Sequence, residues 1–270
     1  MLDKGVEKIM ISQTDRQTDR QAGKLTGYPS IDKTHLKGTK YFERHPIIPN
    51  MSIVNVMKLL WTRCPNDPAV IFFDEIVTHA ELLRDSLILA KAFKYLGVRK
   101  GDIISVSIPN FYQGIVSFIA ANRIGAIVTF LNPFAQDSEL IAQIKKYDSP
   151  LLINYDKMRE YNVQIKDATN LKSIITLNKG DEKTRWGNET STQGYSESYI
   201  SYSDLQDIAK KYKGSISTRT RGNDDALILF TSGSTGNPKD MLFTNHNVIA
   251  ACIYYKNSAH LERYVNDNRR

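Results

Sequence analysis

Ile53, Val56, Leu59 and Leu60 recur three and four residues apart, the spacing of one face of a helix. Ala69 to Phe73 is a short apolar run and predicts a strand. Thr78-His79-Ala80-Glu81 has the form of a capping box, opening a helix that Gly97 can close. From there the pattern alternates: strand over Ile103 to Ile108, helix over Phe111 to Arg123, strand over Ala126 to Phe130. Ser138 to Tyr147 reads as helical, Leu151 to Asn154 as extended, and Leu171 to Leu177 as a further strand. Residues 178–200 are polar and read as a long surface loop. Ser203-Asp204-Leu205-Gln206, again of capping-box form, opens a short helix. Ala226 to Phe230 is an apolar strand, and Asn245 to Leu261 a helix. Such alternation argues for an α/β fold with mostly parallel strands, whose ligands bind at the carboxyl ends of the strands.

One loop carries candidate chemistry at such an end. Thr231-Ser232-Gly233-Ser234-Thr235-Gly236-Asn237-Pro238-Lys239-Asp240 follows the apolar run directly. Gly233 and Gly236 lack the Cβ that would keep backbone N–H groups away from a phosphate chain. Thr231, Ser232, Ser234 and Thr235 add hydroxyl donors, and Lys239 adds a compact positive charge. The stretch is not a P-loop, because Pro238 stands before Lys239 where that motif needs glycine. Nor is it a dinucleotide fingerprint, which needs a third glycine. Its composition would also suit a flexible linker, but its place behind a buried strand argues for a site that binds a nucleoside triphosphate.

The run from Asp224 to Lys239 resembles the signature loop of the adenylate-forming (AMP-binding) superfamily, which includes acyl-CoA synthetases, 4-coumarate–CoA ligases, beetle luciferases and peptide-synthetase adenylation domains. Met241 to Asn247 keeps that family's spacing from the lysine to a Thr-x-x-Asn segment. A second block is similar in order: Leu96 to Asp102, Ile108-Pro109-Asn110, Ala121 to Ala126, and Leu131-Asn132-Pro133. Pro65 to Leu82 is a weaker third match. The resemblance covers residues 45–260 and implies an incomplete N-terminal domain of the adenylate-forming fold, with mostly parallel sheets flanked by helices. It implies ATP, Mg2+ and CoA as co-substrates and cofactors, and a small carboxylic acid, fatty or aryl, as the group activated. It assigns phosphate binding to Thr231, Ser232, Gly233, Ser234, Thr235, Gly236 and Lys239, with Lys239 as the catalytic charge and no metal ligand in this part. A luciferase-like oxygenase would share the adenylation half, and a non-catalytic relative would share only the fold.

The family's magnesium-holding segment, ribose-binding aspartate and mobile C-terminal lysine have no counterpart here. Residues 46–270 therefore read as a partial AMP-binding domain, inactive alone, with apolar faces left uncovered. Two positions depart from the family. Asp240 replaces a glycine, and its charge so near the phosphates predicts that Asp240→Gly tightens ATP binding. Asn245 replaces a histidine; His246, one position on, reads as a polar residue on a helix's first turn.

Composition sets bounds. Of the net charge of +7, residues 1–50 supply +3, from nine Lys/Arg and six Asp/Glu, so the body is only weakly basic and no run suggests nucleic acid. Cys64 and Cys252 are the only cysteines, which fits a reducing compartment. No signal peptide is recognisable, and the most apolar stretch, Gly114 to Leu131, is interrupted by Asn122 and Arg123, so no membrane span is expected. Cytoplasm or peroxisome is the compartment expected. Residues 13–21 repeat Gln-Thr-Asp-Arg, and residues 1–45 lack apolar periodicity, predicting a disordered or spurious N-terminal extension.

Overall fold

The computed structural model describes residues 48–155, 162–187, 198–217, 220–231 and 239–255. The expected disordered extension lies outside them. In chain order the elements are helix α1 (Ile53–Arg63), strands β1 (Pro68–Phe72) and β2 (Glu75–Thr78), helix α2 (His79–Tyr95), β3 (Ile103–Ser107), α3 (Tyr112–Ile124), β4 (Ile127–Phe130), α4 (Asp137–Tyr147), β5 (Leu151–Tyr155), α5 (Asn162–Asp167), β6 (Ser173–Leu177), β7 (Tyr199–Ser201), α6 (Leu205–Lys211), β8 (Asp225–Thr231), β9 (Lys239–Thr244) and α7 (245–255).

Local chemistry sets several boundaries. Thr78 and Glu81 form the reciprocal box that starts α2: the Glu81 N–H donates to Thr78 Oγ1 at 3.3 Å, and the Thr78 N–H donates to Glu81 Oε2 at 3.0 Å. Gly97, at φ 86°, follows that helix's end. Gly125 ends α3 in the left-handed region at φ 77°. A Cβ there would come 2.9 Å from the Lys100 side chain, so the position needs glycine on two counts. Asp148 ends α4 in the same region.

β1 and β2 form a separate antiparallel hairpin. The main sheet has seven strands in the order β7-β6-β5-β3-β4-β8-β9; all pair in parallel except β9, which runs antiparallel to β8. Its two faces are covered by different helices. Ile104, Val106, Ile153 and Ile175 pack with Leu89 and Phe93 of α2, Val116 and Ala120 of α3, and Leu205 of α6. Leu152 and Ile174, whose neighbours in the strand point the other way, pack with Leu140 and Ile144 of α4 and Ile165 of α5. Buried parallel strands covered on both faces read as near-continuous apolar runs, as β5 and β6 do.

One element was not foreseen and three expectations need correction. Residues 239–244 form β9, antiparallel to β8, and the helix that follows begins at Asn245 as expected. The described parts of the polar stretch from 178 are built into the body: Asp181–Lys183 is a short 3-10 turn, Asp181 is buried, and β7 pairs with β6. The predicted strand from Leu171 begins at Ser173, because the N–H groups of Lys172 and Ser173 both donate back to the Pro150 carbonyl. The Ser203–Gln206 box does not form; Ser203 Oγ instead pairs with Ser201 Oγ at 2.9 Å, at the start of a 3-10 turn that leads into α6.

Candidate functional site

The sheet order creates a crevice. β4 sends the chain back past β3 to β5, whereas β8 sends it outward to β9. The chain therefore leaves the neighbouring parallel strands β4 and β8 in opposite directions along the sheet. A cavity of about 280 Å³ lies there, lined by Phe130 at the end of β4, Leu131 and Asn132 after it, Glu139 and Gln143 of α4, and Leu229 and Phe230 of β8. Asn132 shapes its rim: its Oδ1 accepts the Phe134 N–H at 3.0 Å, a turn of the kind asparagine favours.

The candidate phosphate loop leaves from this crevice. Thr231 is the last residue of β8 and Lys239 the first of β9, and the two are direct cross-strand partners. The two described residues that flank positions 232–238 are thus held together by one rung of the sheet. Ser232, Gly233, Ser234, Thr235 and Gly236 lie outside the described residues. Lys239 is exposed.

Asp240 is the unexpected neighbour. It pairs with Phe230 across the ladder, so the two side chains share a face, the one covered by α4. Lys146 Nζ reaches Asp240 Oδ2 at 2.8 Å, and the Tyr147 hydroxyl donates to the same oxygen at 2.9 Å. The Lys146 hydrogen bond first, and that of Tyr147 second, hold the Asp240 carboxyl below its ordinary value. Burial, then the Asp240 contact, pushes the Tyr147 phenol up. The Tyr147 ring also lies 6.3 Å from that of Phe230. By alternation, Lys239 projects from the opposite face to Asp240. The missing glycine costs the backbone nothing here, since the non-glycine positive φ angles among the described residues are those of Phe73 and Asp148. Sequence reasoning missed Lys146 and Tyr147, which lie 94 and 93 residues before Asp240; no local pattern links them.

Behind the strands, the residues around Asn245 are scaffold. Asn245 Oδ1 accepts the Ile53 N–H at 3.0 Å and Asn122 Nδ2 at 2.6 Å, and Asn245 Nδ2 donates to the Asp224 carbonyl at 3.0 Å. Asn122 Oδ1 in turn accepts the Val54 N–H at 3.4 Å. The open donors of the first turn of α1 are thus met by α3 and α7. Thr244 and Asn247 make a reciprocal cap for α7 at 3.3 and 3.0 Å. His246 is half-buried and uses its backbone N–H, which donates to the Gly222 carbonyl at 2.7 Å.

The mostly parallel sheet with helices on both faces defines an α/β class of fold. Within it, residues 60–269 match the family described as AMP-binding enzyme, and the chain belongs to that family. It is 24% identical over 213 residues to a long-chain-fatty-acid–CoA ligase of Bacillus subtilis, covering 75% of this chain and 38% of that protein. It is 30% identical over 183 residues to 4-coumarate–CoA ligase 3 of Arabidopsis thaliana, covering 67% of this chain and 29% of that one. Among solved structures, an anthranilate CoA ligase in complex with anthranoyl-AMP superposes with a TM-score of 0.60 at 19% identity, over 77% of this chain and 37% of the other. A long-chain-fatty-acid–CoA ligase from Archaeoglobus fulgidus superposes with a TM-score of 0.60 at 21% identity, over 76% and 39%. The chain thus spans well under half the length of these relatives. Its fold is that of the N-terminal part of adenylate-forming enzymes. No described helix is long and apolar enough to cross a membrane.

Proposed function

We propose that this chain is the phosphate-gripping portion of an ATP-dependent acid–thiol ligase. Such an enzyme joins a carboxylate to the α-phosphate of ATP, releases pyrophosphate, and passes the acyl group to the thiol of CoA. The observation that carries the reading is the Thr231–Lys239 rung, which sets the two ends of the serine- and glycine-rich segment side by side, next to the Phe230 wall of the β4–β8 crevice. Backbone N–H groups at Gly233 and Gly236, and the hydroxyls of Thr231, Ser232, Ser234 and Thr235, would receive the β- and γ-phosphates. Lys239 would offset the charge that builds on the departing pyrophosphate. Magnesium would reach this part of the molecule as the nucleotide's own counter-ion. The acid this reading favours is a fatty or aryl carboxylate, as in the names of the Bacillus subtilis and Arabidopsis thaliana relatives.

Calorimetric titration of the chain with Mg-ATP tests the reading. We expect binding, and we expect Lys239→Met to weaken it about tenfold, the loss of one charge-assisted contact. Wild-type protein without measurable affinity, or a Lys239→Met variant that binds equally well, would refute it. Pyrophosphate release with a panel of carboxylic acids then identifies the acid class.

A further inference from the structure

Among the described residues β9 is an edge of the sheet, held on one side by β8 and with no strand on the other. It carries one end of the candidate phosphate loop, so its register fixes where Lys239 points. A slip of a single residue would turn Lys239 onto the face of α4. Edge strands with an open side are where such slips are least opposed. One rung away from the loop base, Phe230 and Asp240 are both held by α4. The Tyr147 ring contacts Phe230, the Tyr147 hydroxyl donates to Asp240, and Lys146 adds a charged contact at 2.8 Å. Lys146 Nζ also lies 5.6 Å from the Tyr147 ring centre, so the three groups support one another.

We propose that Asp240, gripped by Lys146 and Tyr147, is a positioning residue that locks the register of β9 and so fixes the face from which Lys239 approaches the phosphates. This rests on the phosphate-binding reading above. It reverses the expectation drawn from charge alone, in which Asp240→Gly tightens ATP binding. The Asp240 carboxylate is partnered by a cation on the far face of the sheet from Lys239, so removing it unfastens the strand more than it relieves repulsion.

Two measurements on the full chain decide the matter: Mg-ATP affinity by calorimetry, and amide hydrogen exchange across residues 239–244. Asp240→Ala should weaken Mg-ATP about tenfold and speed exchange in β9 by a similar factor, while the buried amides of α2 stay protected. Asp240→Asn keeps an acceptor for Tyr147 and should recover part of both losses. Tyr147→Phe should have a smaller effect, and adding it to Asp240→Ala should cost little more. An Asp240→Ala protein that binds as tightly as wild type, or more tightly, overturns the proposal; with faster exchange, that result leaves only a structural clasp. Wild-type protein that binds no Mg-ATP sinks the phosphate reading and the positioning role with it. Faster exchange in Asp240→Ala would then still establish the latch, and unchanged exchange would remove both.

Discussion

Glu81 shows how one carboxylate serves two purposes. Its Oε2 closes the capping box on Thr78, and its Oε1 takes Arg185 Nη1 at 2.6 Å, tying the segment after β6 to α2. The Thr78 backbone bond first, and Arg185 second, hold its carboxyl down to about 2 from 4.5. The folded state therefore favours the ionised form. The stability it adds is complete above about 4.5 and is lost as pH falls towards 2. Glu81→Gln should accordingly lie below wild type in urea midpoint at pH 6 and converge on it near pH 2; a pH-independent gap would contradict this account. Thr78→Ala removes the other half of the box and should cost about 1 kcal/mol of unfolding free energy in the same assay. Neighbouring Asp85 has the opposite sign: burial raises its carboxyl, against the pull of Arg185, so its contribution is present at low pH and lost as pH rises through the folded value. The box was legible in the sequence because its partners are three residues apart. Arg185 and the Tyr112 hydroxyl, which donates to Asp85 at 2.9 Å, were not, because folding alone brings them there.

At the scale of elements, the motifs that pointed to the family turn out largely to be joints. In the stretch Asn122-Arg123-Ile124-Gly125-Ala126, Asn122 caps α1, Arg123 is buried and donates to Leu83 O and Ser86 Oγ of α2, and Gly125 turns the chain into β4. Burial lowers the Arg123 guanidinium to about 10, a cost the two bonds offset in part. Asn245 joins α1, α3 and the strand ends through three bonds. Asn245→Ala would strand the Ile53 donor and the Asn122 amide, and should cost about 2–3 kcal/mol by chemical unfolding. A loss within experimental error would mean that α1 is not anchored there. The helices and the strands β1, β3, β4 and β5 between Ile53 and Tyr155 were legible because amphipathic periods and buried apolar runs are local signals, whereas the short β2 was not read. β9 was not legible: Lys239-Asp240-Met241-Leu242 has no alternation of polar and apolar positions, and it becomes a strand only because β8 offers it an open edge.

For the molecule as a whole, the consequence of that edge is association. Successive residues Met241 and Leu242 point to opposite faces of β9, yet they remain 46% and 54% exposed, and Leu229 on β8 is exposed as well. Apolar side chains therefore stand exposed on both sides of a strand whose outer edge has no strand partner among the described residues. Natural edge strands are usually blunted by charge or covered. Here Lys239 and Asp240 place charge only at the strand's first two positions, and Asp240 is occupied by α4. The chain alone should thus self-associate through β9 as its concentration rises. Leu242→Lys adds a charge where an incoming strand would have to desolvate it, and should raise the concentration at which association begins about tenfold. Light scattering on the eluate of a sizing column, run across a dilution series, reads this directly. Ile76→Lys, on the exposed face of the hairpin, controls for general solubility: if it suppresses association as strongly as Leu242→Lys, the contact does not run through β9.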